Sequence, residues 1–135
     1  MRFSKVLFVL LAASSAFLVL GLSGCGKQAD YKQMTMTEAQ QWMAENGDYI
    51  LLDVRTPEEY AAGYIPGAIN LPVETIGEQP VEALPNKEQT ILVYCRSGNR
   101  SKKAAGKLVQ QGYTAIIEIG GIQDWPGELT LPPQA

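Results

Sequence analysis

The sequence predicts an α/β domain with a mainly parallel central sheet flanked by helices, and three observations point there. Residues 49–54, 90–94 and 114–119 are short runs rich in β-branched, aromatic and aliphatic residues, and the first is too continuously apolar to leave one face in water. Helix-start signals, a threonine followed three residues later by glutamine or glutamate, stand before the first run and after it, and residues 102–111 read as a helix between the second and the third. Strands alternating with helices at this spacing pair in parallel, because each helix carries the chain back across the sheet. The length of 135 residues fits one domain, and no internal repeat is present.

The chain opens with Arg2 and Lys5, an apolar run over residues 6–22 softened only by Ser14, Ser15 and Gly21, and then Ser23, Gly24 and Cys25. Basic, then apolar, then small residues is the plan of a secretory signal. The run is nearly long enough to cross a bilayer, so an uncleaved anchor or an ordinary signal is the alternative. Leu22-Ser23-Gly24-Cys25 resembles the bacterial lipoprotein lipobox. That resemblance implies removal of residues 1–24, acylation of Cys25 and attachment to a membrane of the cell envelope, facing the periplasm. Gly26, standing where some bacteria place an aspartate that retains lipoproteins at the inner membrane, favours the outer membrane. One cysteine carrying more than one acyl chain suffices for stable anchoring. Without residues 1–24 the chain has 111 residues; it loses two of eleven basic residues and none of fourteen acidic ones, giving a net charge of −5. An acidic balance argues against a nucleic-acid partner and supplies no polybasic attraction to anionic lipid.

Residues 25–34 are polar and aperiodic, a flexible tether ahead of a domain at 35–130, with 131–135 as a tail. Thr37-Glu38-Ala39-Gln40 reads as a capping box opening a short helix that turns Ala39, Trp42 and Met43 inward and stops at Asn46-Gly47. The strand at 49–54 contains Asp53, a carboxylate that needs a partner once buried; Arg55 or loop N–H groups are the candidates. Thr56-Pro57-Glu58-Glu59 is a second capping box with proline at the first helical position, and Gly63 ends that helix after about two turns. Tyr64-Ile65-Pro66-Gly67 has proline and glycine in type II order, and residues 68–71 make a short extended piece ended by Pro72. Residues 74–84 read as a loop with a little helix, and 85–87 as a turn into the strand at 90–94. A helix is expected over 102–111 with Gly112 at its C-cap, then a strand at 114–119, a turn at Gly120-Gly121, an apolar cap at 122–125 and a Pro-rich surface tail.

The chemistry concentrates in residues 90–101, T-I-L-V-Y-C-R-S-G-N-R-S. An apolar strand feeding a polar loop that opens a helix aims backbone N–H groups, and the positive end of the helix dipole, into one small space. Cys95 stands at its edge. Basic neighbours and a helix start depress a thiol pKa, which sets Cys95 apart from the buried structural cysteine that is its bland alternative. If Cys25 is acylated, Cys95 is a lone thiol in an oxidising compartment. The absence of histidine removes Cys-His and Ser-His catalysis and argues against a conventional zinc site, so neither metal nor cofactor is expected.

D-V-R-T-P-E-E-Y-A-A-G-Y-I-P-G-A-I-N-L-P (53–72), V-Y-C-R-S-G-N-R-S (93–101) and G-G-I-Q-D-W (120–125) resemble, in order and spacing, the three signature stretches of single-domain rhodanese-like sulfurtransferases, over residues 35–130. The resemblance implies a rhodanese-like fold and transfer of a sulfane sulfur through a persulfide on Cys95. The donor would be thiosulfate or another small sulfur-containing anion, and the acceptor a thiol or cyanide. A carrier that hands the sulfur to a protein partner is the alternative. Arg100 would bind the anionic donor, since a positive charge at a helix start is unfavourable without an anion. Arg96 would do the same or stand as a solvated rim charge. Ser97, Asn99 and Ser101 have short polar side chains able to tie the loop to itself, and Gly98 permits an unusual backbone angle. Asp53 and Arg55 are expected to support the sheet edge; Lys102 and Lys103 to be exposed. Tyr64, where the family often has histidine, is expected to affect packing more than chemistry. A phosphatase of related fold needs five residues between cysteine and arginine. Here four separate Cys95 from Arg100, and Ser101 occupies the phosphatase arginine's place, which makes a smaller cradle suited to sulfur. A non-catalytic binding module would have no reason to keep the cysteine.

Overall fold

The computed structural model describes residues 30–77 and 79–133; the expected signal segment, lipobox and Cys25 lie outside them. In chain order the elements are β1 (Lys32–Gln33), α1 (Met36–Glu45), β2 (Ile50–Asp53), α2 (Pro57–Ala61), β3 (Ile69–Asn70), a 3-10 turn (Val73–Thr75), β4 (Ile91–Cys95), α3 (Asn99–Gln110), β5 (Ile116–Gly121) and a second 3-10 turn (Ile122–Asp124). The strands form one sheet in the order β1-β5-β4-β2-β3, and every pairing is parallel. This is the predicted architecture: the three apolar runs are its central strands. Among the described residues no helix is long and apolar enough to cross a membrane.

Period-two alternation along the strands assigns each side chain to a layer. Leu52, Val54, Ile91, Val93, Cys95 and Ile116 face α3 and pack with Ala104, Ala105 and Leu108. Leu51, Leu92, Tyr94, Ile117 and Ile119 face the opposite way, against Met36 and Ala39 of α1 and Ile65 and Ala68. Trp42 and Met43 pack partly buried against that second layer, as expected. The sheet is therefore covered on both faces, and Cys95 enters on the α3 side.

Both helix caps form, but one is displaced. Thr56 accepts from the Glu59 N–H while the Glu59 carboxylate accepts from the Thr56 N–H, with Pro57 at the first helical position. The first helix is capped by Thr35, paired in the same way with Glu38, and not by Thr37. Starting at Thr35 puts Met36, 2% exposed, into the core on the first turn, and gives the cap a charged carboxylate where the expected register offered only the Gln40 amide. The sheet begins inside the stretch expected as tether: Lys32 and Gln33 pair with Ile117 and Glu118. The type II turn forms, with Gly67 at φ 85° and the Ala68 N–H donating to Ile65 O at 3.0 Å. Tyr64 stacks on Tyr60, ring centroids 4.1 Å apart, the packing role expected of it. It also forms a bridge to Thr130 that ties down the start of the tail.

Candidate active site

Three segments build the site: the end of β4, the loop running into α3, and the end of β5. Pairing between β4 and β5 slips from Val93–Glu118 to Cys95–Gly121, so β5 carries an extra residue at this end. Gly120 absorbs the irregularity at φ 89°. Gly121 then lies so close under the cysteine loop that an added Cβ would stand 2.2 Å from Arg96 O and 2.7 Å from Ser97 Cα. The Gly-Gly pair, read from sequence as a turn, thus serves chiefly to let two backbones touch.

α3 starts at Asn99, three residues earlier than predicted, with Gly98 at φ 104° as its N-cap. Asn99, Arg100 and Ser101 therefore form the first turn, and their unpaired N–H groups belong to the cradle. The Gly98 N–H donates to Cys95 Sγ at 3.0 Å. Burial pushes the Cys95 thiol up, but the Ser101 hydroxyl and the backbone N–H groups of Ser101, Gly98 and Ser97 outweigh it, leaving the thiol below its ordinary value. Cys95 is 1% exposed, a free cysteine under the loop.

The predicted site residues separate by role. Ser101 is fully buried, its Oγ 3.6 Å from Cys95 Sγ and 2.9 Å from Gly98 O, so it does tie the loop. Ser97 and Asn99 do not: both are exposed, and their side chains make no hydrogen bond among the described residues. The loop is closed instead by backbone and by Ser101, with the Lys102 N–H donating to Gly98 O at 3.2 Å. Arg96 is exposed, with no ion pair among the described residues, as a rim charge would be. Lys102 and Lys103 are exposed as expected.

Arg100 meets its anion inside the chain. Its guanidinium forks onto Glu59 of α2, with Nη1 2.6 Å from Oε2 and Nη2 2.8 Å from Oε1. The Arg100 hydrogen bonds hold the Glu59 carboxyl at about 2, so the pair is ionised near neutral pH. Two of the five guanidinium N–H donors are used, leaving three for a ligand. Asp53 and Arg55 pair as expected. Arg55 Nη2 lies 2.7 Å from Asp53 Oδ2 and 2.7 Å from Gly63 O, and both residues are buried. Asn70 completes this corner by donating to Asp53 O and Arg55 O, each at 3.0 Å.

Sequence reasoning missed two acids. Glu59 was visible only as the third helical position of a capping box, and its second task depends on a residue forty-one positions away. Glu118 is 3% exposed on the α3 face of β5, where its Oε1 lies 2.5 Å from Ser101 Oγ and accepts the Gly120 N–H at 2.8 Å. The signal existed: a carboxylate inside I-I-E-I-G-G is as anomalous as Asp53 in its own strand.

A pKa-lowered thiol at the carboxyl end of a central parallel strand, cradled by a tight loop and a helix N-terminus, defines a class of α/β enzyme that works on anions through a cysteine nucleophile. Residues 35–128 match the family model of the rhodanese-like domain, and the chain belongs to that family. It is similar to the thiosulfate sulfurtransferase PspE of Escherichia coli (strain K12), 40% identical over 73 residues that cover 54% of this chain and 70% of the relative. A sulfurtransferase of Allochromatium vinosum is 43% identical over 86 residues, 63% of this chain and 78% of its own length. Among solved structures, a rhodanese-like domain protein from Staphylococcus aureus superposes with a TM-score of 0.66 at 33% identity, covering 76% of this chain and 99% of that one. A rhodanese with anions from E. coli does so with 0.57 at 34%, covering 62% and 99%. Family and fold together make this chain a rhodanese-type transferase.

Proposed function

We propose that the protein moves a sulfane sulfur from thiosulfate or a persulfide donor to a thiol or cyanide acceptor through a persulfide on Cys95. The Gly98 N–H at 3.0 Å from Cys95 Sγ carries this reading, because it marks a cradle already arranged around an anionic sulfur. The Cys95 thiolate attacks the outer sulfur of thiosulfate. A bond forms between the two sulfurs, the sulfur–sulfur bond of thiosulfate breaks, and sulfite leaves with its electron pair. Cyanide then takes the outer sulfur as thiocyanate, or a thiolate takes it as a persulfide, and Cys95 returns as the thiolate. The three free N–H donors of Arg100 stand at the rim to receive the donor's oxygens. The names of the curated relatives, a thiosulfate sulfurtransferase and a sulfurtransferase, support the same chemistry. Phosphoryl transfer fits less well: Ser101 brings a hydroxyl where that chemistry needs a guanidinium, in a loop one residue shorter than that chemistry uses.

Intact mass tests the proposal. Protein treated with thiosulfate should gain one sulfur atom, cyanide should remove it as thiocyanate, and Cys95→Ser should abolish both. A wild-type chain that gains no sulfur from thiosulfate or from polysulfide sinks the reading, and Cys95-dependent hydrolysis of an aryl phosphate would replace it with the phosphatase.

We further propose that the domain works at the cell envelope as a lipoprotein anchored through Cys25 and facing the periplasm, with the outer membrane favoured. The support is the Leu22-Ser23-Gly24-Cys25 sequence behind its basic and apolar segments. Cys25→Ala should leave the precursor uncleaved when expressed in a bacterium. Normal processing of that variant would rule out the lipobox.

A further inference from the structure

We propose that Glu59 determines the donor specificity of the site: by occupying one edge of the Arg100 guanidinium and balancing its charge, it restrains the preference for doubly charged thiosulfate and suits the site to singly charged donors, organic thiosulfonates and persulfides. The inference rests on the sulfurtransferase reading and deepens it.

A guanidinium offers paired hydrogens along two open edges, its end and its Nε side. Glu59 takes the end edge, with one hydrogen from each Nη, at 2.6 Å and 2.8 Å. The Nε–H and the neighbouring Nη hydrogen form the edge that is left, and the fifth hydrogen lies beside the residue's own Cδ. That free edge fits two oxygens of one ligand. Thiosulfate and an organic thiosulfonate both present two oxygens on the inner sulfur, so the edge does not tell them apart. Charge does.

The fork is held shut from the Glu59 side. Glu59 Oε2 also accepts the Thr56 N–H at 2.9 Å, and the Glu59 N–H donates to Thr56 Oγ1 at 3.2 Å, which fixes the carboxylate to the start of α2. With its carboxyl held at about 2, Glu59 is charged near neutral pH. Arg100 stands in the first turn of α3, near enough to Cys95 and Glu74 that both negative charges act on it. Glu74 is exposed on the first 3-10 turn and adds a second carboxylate to this side of the mouth. Behind Glu59, Arg55 is already matched by Asp53. Around Arg100 one cation therefore faces two carboxylates, and the pull on a donor falls to the backbone N–H groups, the start of α3 and the exposed Arg96 at the rim.

A carboxylate about 6 Å from the bound anion, at a half-exposed rim, changes its binding by about fivefold for each charge the anion carries. Thiosulfate carries two charges and methanethiosulfonate one, in nearly the same shape, with a methyl group in place of one oxygen. In both cases the Cys95 thiolate attacks the outer sulfur, the sulfur–sulfur bond of the donor breaks, and sulfite or methanesulfinate leaves with the electron pair. Their intrinsic reactivities differ, but that difference is common to every variant. The ratio of the two rates, compared between variants, therefore reads the charge of the mouth.

Sulfur loading from each donor is followed by intact mass on the full chain in mild detergent, with Cys95→Ser correcting for any sulfur taken up by Cys25. The quantity compared is the second-order rate with thiosulfate divided by that with methanethiosulfonate. Glu59→Gln keeps the size and an oxygen to accept from Arg100 or Thr56, and it should raise the ratio about fivefold at low salt, a rise that shrinks as ionic strength increases. Adding Arg100→Gln to Glu59→Gln removes the charge so released and should return the ratio to near the wild-type value, even though both rates fall. Glu74→Gln, at an exposed side chain, should raise the ratio about twofold, which keeps the proposal testable if Glu59→Gln folds poorly. A Glu59 that merely holds Arg100 in place would slow both donors alike when changed to Gln. An unchanged or lowered ratio in Glu59→Gln, or in Glu74→Gln should the first variant not fold, would overturn the proposal and leave sulfur transfer standing. Failure of the wild type to load sulfur from either donor would instead sink the sulfurtransferase reading, and this inference with it.

Discussion

Gly121→Ala is expected to disable the protein while leaving every side chain of the site in the sequence. The methyl group would have to occupy space 2.2 Å from Arg96 O, 2.7 Å from Arg96 C and 2.7 Å from Ser97 Cα, and all of these are backbone atoms that no rotamer change can move. Either β5, which is paired with a strand on each side, or the cysteine loop must shift by about 1 Å, and the loop, which pairs with no strand, is the element that yields. Its N–H groups then lose their aim at Cys95 Sγ. Overpacking of this kind costs about 1–3 kcal/mol of stability. Misplacement by about 1 Å costs on the order of a hundredfold in rate. The informative control is the adjacent residue. Gly120 has φ 89°, but an added Cβ there would meet no atom within 4 Å, so Gly120→Ala carries only the backbone penalty of about 1–2 kcal/mol. Urea unfolding and the initial rate of sulfur loading, measured on both variants, separate the two effects. Equal loading rates for Gly120→Ala and Gly121→Ala would show that the close approach is unimportant.

Local contacts were legible in the sequence and distant ones were not. β2, β4 and β5 could be read because each is a run of apolar residues long enough to stand by itself, and the cradle because strand, cysteine, loop and helix are contiguous between Ile91 and Gln110. The box at Thr56 was legible for the same reason, all its partners lying within three residues. β1 was not: two exposed residues at a sheet edge, Lys32 and Gln33, have no apolar period, and only the facing strand makes them a strand. The displaced first cap shows a second kind of failure, since Thr35 and Thr37 both offer a hydroxyl and only the core's demand for Met36 chooses between them. Glu59–Arg100 and Ser101–Glu118 join elements distant in sequence, and no local pattern contains either. The site's nucleophile and the loop that lowers its pKa were thus readable, whereas the acids reached across the fold, Glu59 and Glu118, were not. Electrostatic partners are chosen by topology, and the strand order here, β1-β5-β4-β2-β3, places Ser101 above Glu118 and Arg100 beside Glu59.

Asp53→Ala is expected to cost about 3–5 kcal/mol, the range for breaking a buried ion pair and leaving its partner behind. Arg55 is 6% exposed and would keep one good acceptor, Gly63 O at 2.7 Å, for a guanidinium whose charge no carboxylate then balances. Against a typical stability of about 5–15 kcal/mol, such a loss puts the fold at risk. The consequence reaches the cradle through α2. Arg55 joins the end of β2 to Gly63, just past the helix that bears Glu59, and Glu59 in turn holds Arg100 at the start of α3. Freeing that corner should therefore loosen the grip on Arg100 as well. Asp53→Ala with Arg55→Met removes the unpaired charge and should recover much of the stability, since apolar replacement of a buried pair is often neutral. Urea unfolding of the two single variants and the double variant gives the coupling directly. A single Asp53→Ala loss below about 1 kcal/mol would place it in the range of a surface pair and contradict the buried clamp. Recovery of stability in the double variant without recovery of sulfur loading is the expected pattern, because a thioether side chain in place of Arg55 has no N–H to give the Gly63 carbonyl and α2 stays free to move.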